Sequence, residues 1–412
     1  MKKYTISALL AAGLLAGVSG SASAADLGGN CCADLEERIA ELEATTARKG
    51  NRKVSLTVSG WVTEQVLWWD DGVESNAYVV GSGTTLASNV KFSGSAQISP
   101  GWSAGYLIHV ELDGSDSLLA INQNTPTGKG LFAGNVDFAQ TVQSYWYIKS
   151  DTLGKVSVGL VSQASDNTAI LVDGSGSLVP ANYVQFEYGG FFLRNNLTGA
   201  LSATTISSVR SCSDCNGAPE NAVRYDSPTF GGFSVSASWG QDDFWDVAAR
   251  YAGEHAGFKV AVAAAYAENT DTSGLPDLMG DNAEFFQIGA YVQHIASGIF
   301  VYGAYTWYDD SSIADANESF YIKAGIRGKW NPHGATVLYG EYQNADQGGP
   351  DCCGANGGNF DLWGLGVVQE IDAAAMSLWL TYRNIQADDG IAGPAGNSID
   401  FDQVKFGALI NF

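Results

Sequence analysis

From Arg52 to its last residue the chain alternates apolar and polar positions with a period of two, a pattern that predicts strand after strand. Val54, Leu56, Val58, Val62, Val66 and Trp68 alternate with Ser55, Thr57, Ser59, Trp61, Thr63 and Gln65, giving one apolar and one mostly polar face. Glu64 interrupts the apolar set. Val90, Phe92, Gly94, Ala96 and Ile98 alternate with Lys91, Ser93, Ser95 and Gln97, and Pro100-Gly101 turns the chain into a partner whose apolar face is Trp102, Ala104, Tyr106, Ile108 and Val110. The final strand has Val404, Phe406, Ala408, Ile410 and Phe412 on one face, and Gln403, Lys405, Gly407, Leu409 and Asn411 on the other.

Between strands the connections come in two kinds. Tight turns are expected at Asp151–Gly154, Gly253–Gly257, Ala296–Gly298 and Asn331–Gly334, and long polar segments near 70–88, 113–135, 267–283, 309–318, 343–359 and 384–400. Short turns at one end and long loops at the other is the asymmetry of a transmembrane barrel. Two stretches stand apart from the strands. Residues 1–24 have a basic start at Lys2-Lys3, an apolar run from Ile6 to Val18 and a small-residue cleavage site at Ala22-Ser23-Ala24, so they read as a secretory signal. Residues 25–51 include a short amphipathic helical stretch, with Leu35, Ile39 and Leu42 on one stripe, read either as a periplasmic coiled coil or as a helix at the periplasmic mouth. The remainder, 52–412, reads as one domain.

Composition sharpens the picture. The chain has 44 acidic and 21 basic residues, and losing Lys2 and Lys3 with the signal would move the net charge from −23 to −25, which argues against nucleic acid as a partner. Charged residues make up only 16%, below the roughly 25% usual in soluble domains. Fifty Gly, 18 Tyr, 18 Phe and 11 Trp suit many strands, tight turns and aromatic girdles. Beyond the signal no stretch is long and apolar enough for a membrane helix, so any membrane integration is through strands.

The aromatic ending resembles the assembly signal of bacterial outer-membrane barrels, carried by Lys405, Gly407, Ile410 and Phe412. Val223-Arg224-Tyr225-Asp226-Ser227-Pro228-Thr229-Phe230-Gly231-Gly232-Phe233 and its continuation to Trp239 resemble the hairpin that follows the constriction loop in trimeric general porins. With Lys53–Gly60 near the start and the Cys31-Cys32 segment, the chain is most similar to the alphaproteobacterial members of that family. The resemblance implies a sixteen-stranded antiparallel barrel, all β, that assembles as a homotrimer in the cell outer membrane with a third loop folded into the pore. It implies a passive, water-filled channel for small hydrophilic solutes, with the barrel assembly machinery, outer-membrane lipid and lipopolysaccharide as partners.

If the 221–239 hairpin holds strands six and seven, the third loop spans about 163–220; if Tyr183–Tyr188 and Phe191–Leu197 are barrel strands, the total is eighteen.

In the resembled family the loop carries carboxylates that face basic residues on the wall. Here the loop candidates are Asp166, Asp173 and Glu187, and the basic residues inward by parity are Lys53, Lys91, Lys149, Lys155, Arg224, Arg250, Lys323, Arg383 and Lys405. Such an arrangement sets up a transverse field, and with the net acidity it predicts weak cation selectivity. A ligand-selective channel of the sugar type is the alternative, but the inward aromatics Trp61, Tyr145, Tyr147 and Tyr321 fall on separate strands. An enzyme on the lipid-facing rim would need an outward His. Instead His109 is inward and His255, His294 and His333 lie at turns, a scatter that also disfavours a metal site; no cofactor is expected. Six Cys in an exported chain read as bonded, with Cys212 and Cys215 as a local loop staple and the pairing of Cys31, Cys32, Cys352 and Cys353 open.

Overall fold

In the computed structural model the first strand, β1 (Thr57–Asp70), pairs antiparallel with the last, β19 (Asn397–Asn411), from Trp61 opposite Asn411 to Asp70 opposite Asp402. This pairing leaves the sheet without a free edge, the condition for a sheet that spans a membrane. The structure describes residues 54–83, 86–112, 121–125, 139–184, 187–209, 219–240, 243–270, 282–309, 316–350 and 356–412. The signal at 1–24, the helical segment at 25–51, Lys53, and Cys212 and Cys215 fall outside these residues.

After β1 come β2 (Ser75–Val80), β3 (Asn89–Ser99), β4 (Trp102–Glu111), β5 (Gln140–Ser150) and β6 (Gly154–Val161). The short strands β7 (Phe192–Asn195) and β8 (Leu201–Thr205) follow, then β9 (Glu220–Asp226), β10 (Phe233–Gly240), β11 (Trp245–His255), β12 (Phe258–Asn269) and β13 (Ala283–His294). The wall continues through β14 (Ile299–Asp309), β15 (Asn317–Asn331), β16 (Gly334–Pro350), β17 (Asn356–Ile371) and β18 (Met376–Asp388) to β19. Setting aside β2, β7 and β8, the wall is a closed 16-stranded antiparallel barrel. The 221–239 hairpin supplies its sixth and seventh strands, β9 and β10.

Two sequence expectations are corrected. The eighteen-strand alternative fails because Phe192–Asn195 pairs with β8 and with the upper end of β19 rather than joining the wall, and most of 183–191 is irregular. The polar stretch 343–359 is largely strand, and 384–400 is strand at both ends around a loop at 389–396, because β16 to β19 run on past the apolar belt. Above the hydrocarbon an outward face is polar as well, so alternation fades and a strand resembles a loop.

Each wall strand shows the two-sided pattern. Along β1, Trp61, Thr63, Gln65, Leu67 and Trp69 are buried inward, whereas Val62, Glu64, Val66 and Trp68 are exposed outward. Ile148, Val156, Trp239, Phe258, Ile322 and Leu365 continue the outer apolar belt. Phe412 closes the seam: its N–H donates to Gly60 O and its carbonyl accepts from Gly60 N, each at 3.1 Å. A Cβ on Gly60 would stand 2.1 Å from Asn89 O and 2.9 Å from the Phe412 ring, so only glycine fits there. Ile410 is exposed outward on the same strand, and Gly407 lies against the Trp379 ring.

The barrel interior holds a protein core. One cluster joins Leu67, Trp69 and Phe401 of the wall to Tyr188, Phe191, Leu193 and Ile206 of the 162–219 segment. A second joins Tyr291, Tyr302, Tyr321 and Tyr339 to Ala169, Ile170, Leu178 and Tyr183. The segment between β6 and β9 is therefore turned inward and packed against the wall.

Candidate functional site

The infolded segment starts in a run of small and polar residues, Ser162 to Thr168, that cannot continue an apolar face. Asn167 takes a left-handed conformation (φ 54°) and turns the chain. Wall residues receive the backbone that leaves the strand. Arg224 donates to Ser162 O at 2.8 Å and Gln163 O at 2.9 Å, while also holding Asp226 at 2.8 Å. Arg250 donates to Ala164 O at 2.5 Å and to Thr168 Oγ1 at 2.9 Å. Asp246 accepts from the backbone N–H of Ser165 at 2.6 Å and also from its hydroxyl. Gln287 clamps both sides of the turn, donating to Ser165 O at 2.8 Å and accepting from Ala169 N–H at 2.7 Å. Asp166, hydrogen-bonded to Ser162 and Asn167, is pushed up to about 7 by burial, against the pull of the Ser162 bond and Arg224.

The middle of the segment, Asp173-Gly174-Ser175-Gly176-Ser177, lies flat on the wall. Gly176 has φ 86° and a Cβ there would meet the Arg327 guanidinium at 1.9 Å. Arg327 donates to Ser175 O at 3.1 Å and pairs with Glu370 at 2.7 Å. Lys323 donates to Asp173 at 2.6 Å and to Ala181 O at 2.7 Å, with its ammonium 5.8 and 5.6 Å from the Tyr302 and Tyr339 rings. Both partners of this pair are essentially closed to solvent, at 0% and 1% side-chain exposure.

Glu187 forms the third anchor. It accepts from Lys405 at 2.5 Å, Gln403 at 3.2 Å and Arg383 at 3.4 Å. Arg383 also holds Glu341 through Nε at 2.8 Å and Nη2 at 3.0 Å, and donates to Asn182 O at 3.0 Å. Lys405 donates a further bond to Pro180 O at 3.0 Å. Two carboxylates against two cations, all buried, leave this node neutral and internally satisfied.

Further along, the β7–β8 hairpin is tied to the mouth. Arg194 pairs with Asp71 at 2.7 Å and Glu74 at 2.6 Å, and Gln123 exchanges two bonds with the backbone of Phe192 and donates to Asp71 at 3.1 Å. Burial works to raise the Asp71 carboxyl, but the Arg194 guanidinium and its hydrogen bonds outweigh this and leave it below the usual range. The first loop also turns inward. Gln65 donates to Gly81 O at 3.0 Å and Trp61 Nε1 to Leu86 O at 3.1 Å, while Ser88 is hydrogen-bonded to the Thr63 backbone.

These contacts locate the residues singled out in the sequence. Asp166, Asp173 and Glu187 all lie on the infolded segment and are buried, with 4%, 7% and 3% of their surface exposed; Asp173 and Glu187 bond to the wall, whereas Asp166 bonds within its own turn. Lys323, Arg383 and Lys405 meet two of them directly, and Arg224 and Arg250 hold the segment's first turn. Lys91 is buried over the Trp61 ring at 4.4 Å, beside Glu111. Lys149 and Lys155 lie opposite one another on β5 and β6, Lys149 exposed and Lys155 paired with Asp226 at 3.2 Å. Trp61 and Tyr321 are covered, whereas Tyr145 and Tyr147 are half-buried.

Asp246, Gln287, Arg327 and Glu341 escaped sequence reasoning, although each is a polar residue at an inward strand position. Asp246 and Glu341 carry a negative charge where a wet wall calls only for polarity, and that was the available signal. The segment's contacts run over β9 to β19 and on to β1, which leaves the inner faces of β4 and β5 as wall it does not touch in the contacts described.

A sequence model of the Gram-negative porin family matches residues 8–390. No curated protein matches the chain by sequence. Among solved structures, the anion-selective porin of Comamonas acidovorans superposes with TM-score 0.54 at 16% identity, covering 87% of this chain and 100% of that one. The trimer form of in-vitro folded OmpT, an outer-membrane protein of Vibrio cholerae, gives 0.52 at 13% identity, covering 88% and 100%. OmpF of Salmonella typhi in complex with daunomycin gives 0.52 at 14%, covering 89% and 100%. These likenesses concern the fold.

Proposed function

This chain belongs to the Gram-negative porin family, a β-barrel channel of the outer membrane, and from that premise we propose that it is a passive, water-filled and weakly cation-selective pore rather than an enzyme. The observation that carries the reading is the segment 162–209, bonded along the inner wall of a closed barrel so that it narrows the lumen without sealing a catalytic pocket. The sign of selectivity comes from charge accounting. Inside, Asp173 and Glu187 are matched by Lys323, Lys405 and Arg383. At the outer ends of the strands, Glu268, Glu284, Asp309, Glu318, Asp346, Asp361, Asp388, Asp400 and Asp402 take outward parity, and no lysine or arginine alternates into that set among the described residues. The Comamonas acidovorans porin has the opposite preference by its description, so the shared fold leaves the sign to local charge.

Homotrimeric assembly is part of the proposal. The trimer form of the Vibrio cholerae protein supports it, and so does Glu64, which projects from the outer face of β1 where a subunit interface shelters a carboxylate better than lipid does. Placement among alphaproteobacterial porins rests on the 223–239 hairpin and the Cys31-Cys32 segment. Lipopolysaccharide is the expected neighbour of the outer rim, and the barrel assembly machinery the expected reader of Gly407, Ile410 and Phe412.

A planar-bilayer recording tests the function. The expected result is an ohmic conductance unaffected by sugars, with a zero-current potential in a KCl gradient of the sign that favours K⁺. A potential of the opposite sign, or block by millimolar sugar, contradicts it.

A further inference from the structure

The carboxylates Asp166, Asp173 and Glu187 of the infolded loop are buried, so the face it shows to the lumen is made of other residues. Between 166 and 184 the side chains that keep partial exposure are Asn167, Leu171, Val172, Val179 and Val184. None is charged and four are aliphatic. Val172, Val179 and Val184 rest their inner sides on the buried cluster of wall tyrosines, which fixes them in place. Inside a closed barrel the solvent they meet is the lumen. On β4 and β5 the half-buried inward residues include Leu107, Tyr145 and Tyr147, with Ser103 and the exposed Lys149 nearer the turn between β5 and β6.

Resting on the channel reading above, we propose that this constriction selects through an apolar lip rather than through charge. The lip, centred on Leu171, Val179 and Val184, favours small neutral or zwitterionic solutes that carry an aliphatic or aromatic face. The chemistry is straightforward. A hydrated ion passing a charged constriction exchanges part of its water for protein charges, but this loop face has none to give. A solute with an aliphatic side chain instead removes apolar surface from water as it slides past aliphatic side chains and tyrosine rings. The same arrangement explains why Asp173 and Glu187 are sequestered: a free carboxylate on the loop face would retain the water that an apolar lip sheds.

Proteoliposome swelling with norleucine and glutamine, zwitterions of similar length, tests the idea. In the wild type norleucine is expected to enter at least as fast as glutamine. Leu171→Gln with Val179→Asn should lower the norleucine-to-glutamine ratio by at least about two-fold, the effect of losing part of one aliphatic contact. Leu171→Met with Val179→Ile should keep the ratio, which separates loss of apolar contact from disturbance of the loop. A ratio equally unchanged in both variants, or a wild type that strongly prefers glutamine, overturns the lip while leaving the channel standing. A wild type that conducts no ions and admits neither solute would remove the channel reading itself.

Discussion

Two sets of carboxylates occupy this barrel, and they behave in opposite ways. Asp173 and Glu187 sit on the infolded loop within 2.5–3.4 Å of lysine or arginine and are closed to solvent. Asp361, Asp388 and Asp402 sit on the outer face of the rim, where their neighbours are neutral: Tyr342 donates to Asp361 at 2.6 Å, Asn359 to Asp388 at 3.3 Å and Tyr382 to Asp402 at 2.5 Å. On the rim like charges even stand opposite one another, as Glu268, Glu284 and Asp309 do across β12, β13 and β14. Such a row is tolerable only where water and ions screen it. The inner set is neutral as a whole and positions the loop; the outer set is unmatched and creates a field. Carboxylates in the loop of a porin-like chain are therefore not automatically the charges that its solutes meet.

Unpairing the inner set should have the largest consequence. Lys323→Met leaves Asp173 buried without its cation, and breaking one side of such a pair costs about 3–5 kcal/mol. Limited proteolysis within 166–184 should become fast in folded barrels, and adding Asp173→Asn to the same chain should restore most of the protection. Equal protection in the single variant and the wild type would show that the loop is held by apolar packing alone.

The latch at the mouth should come next. Arg194→Ala removes the charge partner of Asp71, a loss of about 1–3 kcal/mol for a buried charge-assisted bond. Acid should imitate it. Because the Asp71 carboxyl is held below its ordinary value of 3.8, its contribution is complete above that pH and is lost as pH falls through the depressed value. Protection factors across β7 and β8, corrected for intrinsic exchange at each pH, should fall as pH drops below 3.8 in the wild type, whereas in Arg194→Ala they should already be low at pH 7. Identical protection factors in the two proteins at pH 7 would exclude the latch.

The smallest effect belongs to the rim. Asp388→Asn should leave stability within about 0.5 kcal/mol. It should reduce cation preference slightly in dilute salt, an effect that disappears near 1 M, where the screening length is about 3 Å. Its neighbour Asp389 is a different case. Only 3% exposed, it accepts from Ile391 N–H and Asn397 N–H at 3.1 Å each and so shapes the last loop. Its amide variant should lower thermal stability more than Asp388→Asn does.

The wall was legible in the sequence because burial on one face and lipid on the other impose a period of two, which β1 displays apart from Glu64 and β19 displays beyond Asp402. The inward direction of Lys323, Arg383 and Lys405 followed from the same parity. What parity could not supply was the partner of each residue. Lys323 meets Asp173 and Gln343 meets Tyr183 only after the loop has crossed the barrel, a contact between positions about 150 residues apart whose geometry rests on glycine turns such as Gly176. The upper parts of β16 to β18 were obscured for another reason. Asn344, Asp346, Asn359 and Asp361 are polar because they stand above the hydrocarbon, so nothing in their pattern separates them from a loop.

The central claim, that the inner carboxylates position the loop while the rim sets ionic preference, is tested most directly by the zero-current potential of Asp173→Asn/Lys323→Met in a KCl gradient. Removing both partners of a neutral pair should leave the potential at the wild-type value, in dilute and concentrated salt alike. A shift of the double variant toward anion preference would mean that Asp173 acts on the pore as a free charge, and would contradict the account.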